Sequence, residues 1–152
     1  MIKFIKINLS IFIILFLVSC GFKPIYSEKN VKINIESIEY EGDKSIKKQI
    51  INQLSIYKNN NSKNKLNLHI KGDKKVIVLT RDSKGNAKVY RVNIKIIFNI
   101  LEEGQSTKIY EKSDNYNHQD SPGLLKQKEN KIVENLVSVI IDELLTAYLI
   151  EQ

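Results

Sequence analysis

The chain has 152 residues, 42% of them hydrophobic and 27% charged, a balance that belongs to a globular domain rather than to a disordered or fibrous chain. Lysine and arginine number 24 against 17 aspartates and glutamates, a formal charge of +7. A single cysteine excludes an intrachain disulfide framework and any zinc site built from several thiolates.

Met1, Lys3 and Lys6 make a short basic start, and Ile7 to Val18 (INLSIFIILFLV) is apolar apart from Asn8 and Ser10. A membrane-spanning helix needs about 20 apolar residues, so this run is too short to be one. A basic start, a short apolar stretch and a small residue before the break mark a secretory signal peptide over residues 1–19. The break, Leu17-Val18-Ser19-Cys20, resembles the lipobox of bacterial lipoproteins, with leucine three residues before the cysteine and a small residue directly before it. That resemblance implies cleavage before Cys20, diacylglycerol on its sulfur and an acyl chain on the new amino group. Several acyl chains anchor durably where one is marginal. Gly21 follows the cysteine where an aspartate would favour retention at the inner membrane, so the resemblance points to the periplasmic face of the outer membrane.

Removing Lys3 and Lys6 with the leader leaves 22 basic and 17 acidic side chains, a charge of +5. A basic balance favours anionic partners such as lipid phosphates. Neither a nucleic-acid module nor basic residues interleaved with stacking aromatics is found in the sequence, so no nucleic-acid partner is expected.

Residues 20–30 read as a lipidated tether containing Pro24, and residues 31–152 as one α/β domain. Val31, Ile33 and Ile35 alternate with polar residues, which is the period of a half-buried strand. The apolar phase then slips to Ile38 and Tyr40, which predicts a bulge near Glu36-Ser37. Gly42-Asp43 ends the strand, and Asp43 or Ser45 is placed to cap a helix. Ile46, Ile50, Leu54 and Tyr57 then form one helical stripe. After the polar loop Lys58 to Lys65, Leu66, Leu68 and Ile70 alternate as a second strand. Gly72-Asp73-Lys74-Lys75 interrupts it before the apolar run Val76 to Leu79, leaving either one long bulged strand or two pieces. Arg81 to Asn86 (RDSKGN) is a turn signal.

The next strand is the clearest element. Tyr90, Val92, Ile94, Ile96, Phe98 and Ile100 share one face, while Arg91, Asn93, Lys95 and Asn99 share the other, a polar and positively biased one. Glu103-Gly104-Gln105 reads as a hairpin turn, and Thr107 to Tyr116 as a more polar strand suited to a sheet edge. Ser121-Pro122 is a helix start, serine as N-cap and proline at the first helical position. Apolar pairs then recur every four residues from Ile132/Val133 to Tyr148/Leu149. At about 42 Å, this helix matches the roughly 50 Å of the long strand. The predicted fold is α+β: two helices packed on one face of a four-stranded, mostly antiparallel sheet, in the order β-α-β-β-β-α.

Little in the sequence suits catalysis. His69 falls on the polar side of its strand and His118 in the loop Asn117 to Asp120, both as solvated side chains. No His/Glu metal pattern, nucleophile elbow or phosphate loop is present, and the only cysteine is committed to lipid. Glu102/Glu103 and Asp142/Glu143 are sequence neighbours and so do not face one another. A non-enzymatic protein is expected, with no catalytic residue, no metal, and no cofactor beyond the covalent lipid on Cys20.

The opening Ser19-Cys20-Gly21-Phe22-Lys23-Pro24-Ile25-Tyr26 resembles that of the LPS-assembly lipoprotein (LptE) family of alphaproteobacterial type. The order of elements through Tyr90-Arg91-Val92-Asn93-Ile94 and Tyr116-Asn117 to the C-terminal helix is similar as well. The resemblance implies a subunit of the outer-membrane lipopolysaccharide translocon. Such a subunit plugs an LptD-type β-barrel, helps it assemble, and binds lipopolysaccharide. Cations would meet lipid phosphates, arginine bidentately. Arg81, Lys84, Lys88, Arg91 and Lys95, at the turn and on the free sheet face, are the candidates. An accessory lipoprotein of another envelope complex, an ABC-type auxiliary protein or a secretin pilot, is the alternative reading of the same features.

Overall fold

The computed structural model describes residues 33–58, 65–101 and 105–150. The predicted signal peptide, Cys20, the tether and the first two residues of the predicted strand lie outside the described residues. So do residues 59–64 of the polar loop and Glu103-Gly104 of the predicted hairpin turn.

The elements follow in the expected order: β1 (Asn34–Gly42), α1 (Lys44–Leu54) with a 3₁₀ turn (Ser55–Tyr57), β2 (Lys65–Arg81), β3 (Ala87–Ile100), β4 (Ser106–Asn117) and α2 (Pro122–Ile150). The sheet order is β1-β2-β3-β4. β1 and β2 run parallel, because α1 carries the chain back to the level at which β1 began, while β2–β3 and β3–β4 are antiparallel. The sheet is therefore mixed, with two antiparallel pairings and one parallel.

Local signals explain most of these boundaries. The register of β1 against β2 shifts between Ile35 and Ser37, at the predicted bulge, and returns Ile38 and Tyr40 to the helix side. Asp43 caps α1: one carboxylate oxygen accepts from the amides of Ser45 and Ile46 at 2.8 and 3.3 Å and from the Ser45 hydroxyl. Of the two possible caps, aspartate therefore takes the role, with Ser45 as its donor. Ser121 receives α2, its carbonyl oxygen accepting from the Leu125 amide at 3.0 Å.

β2 runs unbroken for 17 residues, which decides between the two readings of the Gly72 region. A Cβ at Gly72 would collide with the Tyr40 hydroxyl and lie 2.9 Å from Ile46 Cγ2. Glycine is what lets Tyr40 and the first turn of α1 close over the strand, so it marks a close approach and not a chain break.

The core lies between the sheet and the helices. Leu68, Ile70, Val92, Ile94, Ile96 and Phe98 are almost wholly buried on the sheet side, and Ile46, Ile50 and Leu54 on α1. α2 adds Ile132, Val133, Val137, Ile140, Ile141 and Leu144. α1 packs on β1 and β2, α2 on β3 and β4, and the helices pack on each other. Leu136 and Tyr148 are half-buried against this core, as is Tyr57. No buried polar or charged residue occurs among those described, and no described helix is long and apolar enough to cross a membrane.

Candidate functional site

The β2–β3 hairpin is built around Asp82. Its carboxylate accepts from the amides of Lys84 and Asn86 at 2.9 and 2.8 Å and from the Asn86 side chain at 3.0 Å. Hydrogen bonds from Asn86 and Lys84, with the Lys88 charge, hold this carboxyl below the usual range. Gly85 takes φ +85°, the left-handed backbone the turn requires. Arg81 closes the turn, donating from Nη1 to the Gly85 carbonyl at 2.8 Å.

Beside this turn is an open groove of about 930 Å³, lined by Arg81, Asp82, Lys88, Asn117, His118 and Asp120 among others. Its edge is aromatic. Tyr90 stacks on Tyr116 with ring centroids 5.1 Å apart and lies 6.2 Å from the His118 ring. The Tyr90 hydroxyl is 3.4 Å from His118 Nδ1, a long contact. Tyr116 is pushed up to about 12 by burial first, then by the Glu129 charge and Tyr90, so its hydroxyl stays protonated.

The groove brings Arg81 and Lys88 together, and Lys84 stands in the same turn. Arg91 and Lys95 are elsewhere, on the open sheet face. Lys88 falls on the helix side of the sheet with Tyr90, and lies about 23 Å along β3 from Lys95. The open face is also not uniformly basic. Register places Lys95 between Asp73 on β2 and Glu111 on β4. Glu39 and Glu41 on β1 join the same face, opposite His69 and Lys71. Arg91 donates from Nε to Asn115 Oδ1 at 2.9 Å. The positive bias read from β3 alone is thus balanced by acids on its neighbours, which only the strand order brings alongside.

At the far end of that face, His69 is half-buried in a polar row. Its Nδ1 is 3.3 Å from Asn99 Nδ2 and its Nε2 3.7 Å from Glu41. Thr107 donates to Asn99 Oδ1 at 2.9 Å. His118 is exposed, as its loop position predicted, but borders the groove.

Sequence reasoning missed the cluster around Lys74. This lysine is on the helix side, with a side chain only 13% exposed, 3.0 Å from Glu129 and 3.8 Å from Asp43. Lys126 also meets Glu129 at 2.9 Å. Burial raises both carboxyls, but hydrogen bonds outweigh it, from Lys126 and Lys74 on Glu129 and from Ser45 and Ile46 on Asp43; the Lys74 charge adds to both, and each carboxyl is held below its usual range. The period-two position of Lys74, in phase with Ile70 and Gly72, was the available signal.

The architecture is thus a strand–helix–strand unit extended by a hairpin strand pair and closed by a long helix. No protein-family model matches the chain, and no curated protein sequence is similar to it. Solved structures share its fold. Rare lipoprotein B from Shewanella oneidensis superposes with a TM-score of 0.53 at 12% identity, over 76% of this chain and 99% of that one. A minor lipoprotein from Acinetobacter baumannii gives 0.52 at 12%, over 76% and 92%. A lipoprotein B from Nitrosomonas europaea, described as uncharacterized, gives 0.50 at 13%, over 82% and 88%. At such identities the likeness is one of fold.

Proposed function

We propose that this chain is a non-catalytic lipoprotein of the outer membrane, anchored through Cys20 at the periplasmic face. In this reading it serves the lipopolysaccharide translocon as plug and assembly partner of an LptD-type β-barrel. The observation that carries it is a fold shared with proteins named as lipoproteins, in a chain whose own start reads Leu17-Val18-Ser19-Cys20-Gly21. An open sheet face of balanced charges and hydrogen-bonding side chains suits the polar lumen of a large barrel. The cations of the hairpin end suit lipid phosphates.

The test is an affinity pull-down from detergent-solubilised envelopes. A one-to-one complex with a heat-modifiable outer-membrane barrel is expected. Recovery of the protein alone, or with an inner-membrane ATPase, overturns the plug reading in favour of another envelope complex. Cys20→Ser is expected to abolish palmitate labelling, and normal labelling of that variant overturns the anchor.

A further inference from the structure

The outer surface of α1 differs from the rest of the molecule. Ile46, Ile50 and Leu54 face the core. Outside that stripe Lys44, Lys47, Lys48 and Ile51 are exposed, Ile51 at 37%, and the 3₁₀ turn adds Ile56, which is 74% exposed, with Lys58 directly after the turn. From Lys44 to Lys58 there is no acidic residue. Several lysines elsewhere have carboxylate partners: Lys65 with Glu36, Lys74 with Asp43 and Glu129, Lys112 with Glu143, Lys131 with Glu134. The lysines of α1 form no ion pair with a described residue.

This arrangement works against the helix. Cations in its first turns oppose the macrodipole, and the Asp43 cap is the one acid at that end of the helix, with none in the first turn itself. Lys44 also repels Lys47 and Lys48, its neighbours three and four residues on. Ile56, 74% exposed beside cations without a described ion-pair partner, adds little to the packing of the fold. Cations around exposed aliphatic side chains, without acids, match the chemistry of an anionic bilayer surface.

The topology turns the C-terminal end of α1 toward the end of the sheet at which β1 begins. α1 runs back from the Gly42 end of β1, and the chain after it reaches Lys65, which stands opposite Asn34 at the start of β1. Only residues 21–32 separate Cys20 from Ile33, at most about 47 Å of chain. A lipid on Cys20 therefore keeps the domain, α1 included, within a tether's length of the membrane.

We propose that the outer face of α1, with Ile56 and Lys58, is a contact surface for anionic phospholipid headgroups. The lysines meet lipid phosphates and Ile51 and Ile56 enter the interface. Acyl chains alone tether the protein without orienting it; this face fixes its α1 end against the leaflet. The inference rests on the Cys20 anchor but not on the barrel partner.

The experiment uses the lipidated protein carrying Ile56→Cys, labelled with an environment-sensitive fluorophore; the Cys20 sulfur is blocked by its thioether. It is reconstituted into vesicles of phosphatidylcholine alone or of phosphatidylcholine with phosphatidylglycerol. A blue shift and quenching by spin-labelled lipid are expected in the anionic vesicles only, reversed by high salt. Glu111→Cys on the open sheet face is expected to report no change. Replacing Lys44, Lys47 and Lys48 with glutamine is expected to reduce the response several-fold while flotation with the vesicles persists. Flotation without any lipid-dependent shift overturns the proposal. A shift that instead tracks a co-purified protein in detergent overturns it in favour of a protein contact. Failure to float with neutral vesicles overturns the anchor reading, and this inference with it.

Discussion

Gly42→Ala is expected to be among the most damaging single-methyl additions to this fold, and Gly85→Ala is its internal control. Both glycines hold positive φ, +113° and +85°. An alanine at either pays the conformational cost of that backbone, about 1–2 kcal/mol. At Gly85 a new Cβ meets nothing within 4 Å, so the cost ends there. At Gly42 it collides with the carbonyl oxygen of Gly72, a backbone atom that cannot rotate aside. That carbonyl already accepts from the Asp43 amide at 3.0 Å, so moving it also loosens the cap of α1. Overpacking of this kind adds about 1–3 kcal/mol, for a total of roughly 2–5 kcal/mol. A domain of this size loses about 3–5 °C in Tm per kcal/mol, so the two variants should differ by about 3–15 °C. Urea unfolding followed by far-ultraviolet circular dichroism, with thermal melts alongside, measures both. If Gly42→Ala loses no more than Gly85→Ala, the close approach of β1 to Gly72 is wrong.

Lys74→Met removes the cation shared by Asp43 and Glu129, leaving them the Ser45 and Ile46 amides and Lys126, and should lose about 1–3 kcal/mol in urea, with the double variant Lys74→Met/Glu129→Gln recovering part of it. Asp43 and Glu129 are both held below their usual range, so their stabilisation is fully present above the ordinary carboxylate pKa and is lost as pH falls through their folded values. The urea midpoint should accordingly drop below about pH 4, and less steeply in Lys74→Met; a midpoint flat through that range refutes the assignment. Ile94→Ala, at a fully buried position, should cost about 2–5 kcal/mol, and Val139→Ala, 45% exposed, less than about 0.5 kcal/mol.

The sequence carried the elements well because their signals are local. The period of Tyr90 to Ile100 and the four-residue recurrence of Ile132 to Leu145 each follow from one face meeting one core. The bulge at Ile35–Ser37 was legible because a slip in alternation has no other cheap cause in a strand. What was not legible is what strands do to each other. Nothing within β3 says that Lys95 will lie between Asp73 and Glu111, since that depends on which strands flank it and in which register. Gly72 looked like a break because its reason is Tyr40, more than thirty residues earlier. Lys74 read only as part of the interruption Gly72 to Lys75 because its carboxylate partner is on a helix 55 residues later.

The same long-range pairing ranks the five candidate cations. An incoming phosphate competes with whatever already holds each side chain. Lys95 is flanked by two carboxylates in register, Arg91 is donating to Asn115, and Arg81 to its own turn. The side chains of Lys84 and Lys88 carry no such commitment among the described residues, Lys88 feeling only the charge of Asp82. The two should therefore supply most of the electrostatic affinity of the hairpin end for an anionic lipid. In a displacement assay with lipopolysaccharide, Lys84→Ala/Lys88→Ala should weaken binding several-fold and flatten its salt dependence, while Lys95→Ala leaves both unchanged. Lys95→Ala weakening binding as much as the hairpin pair would mean that the open sheet face, and not the groove beside the turn, is where phosphate is met.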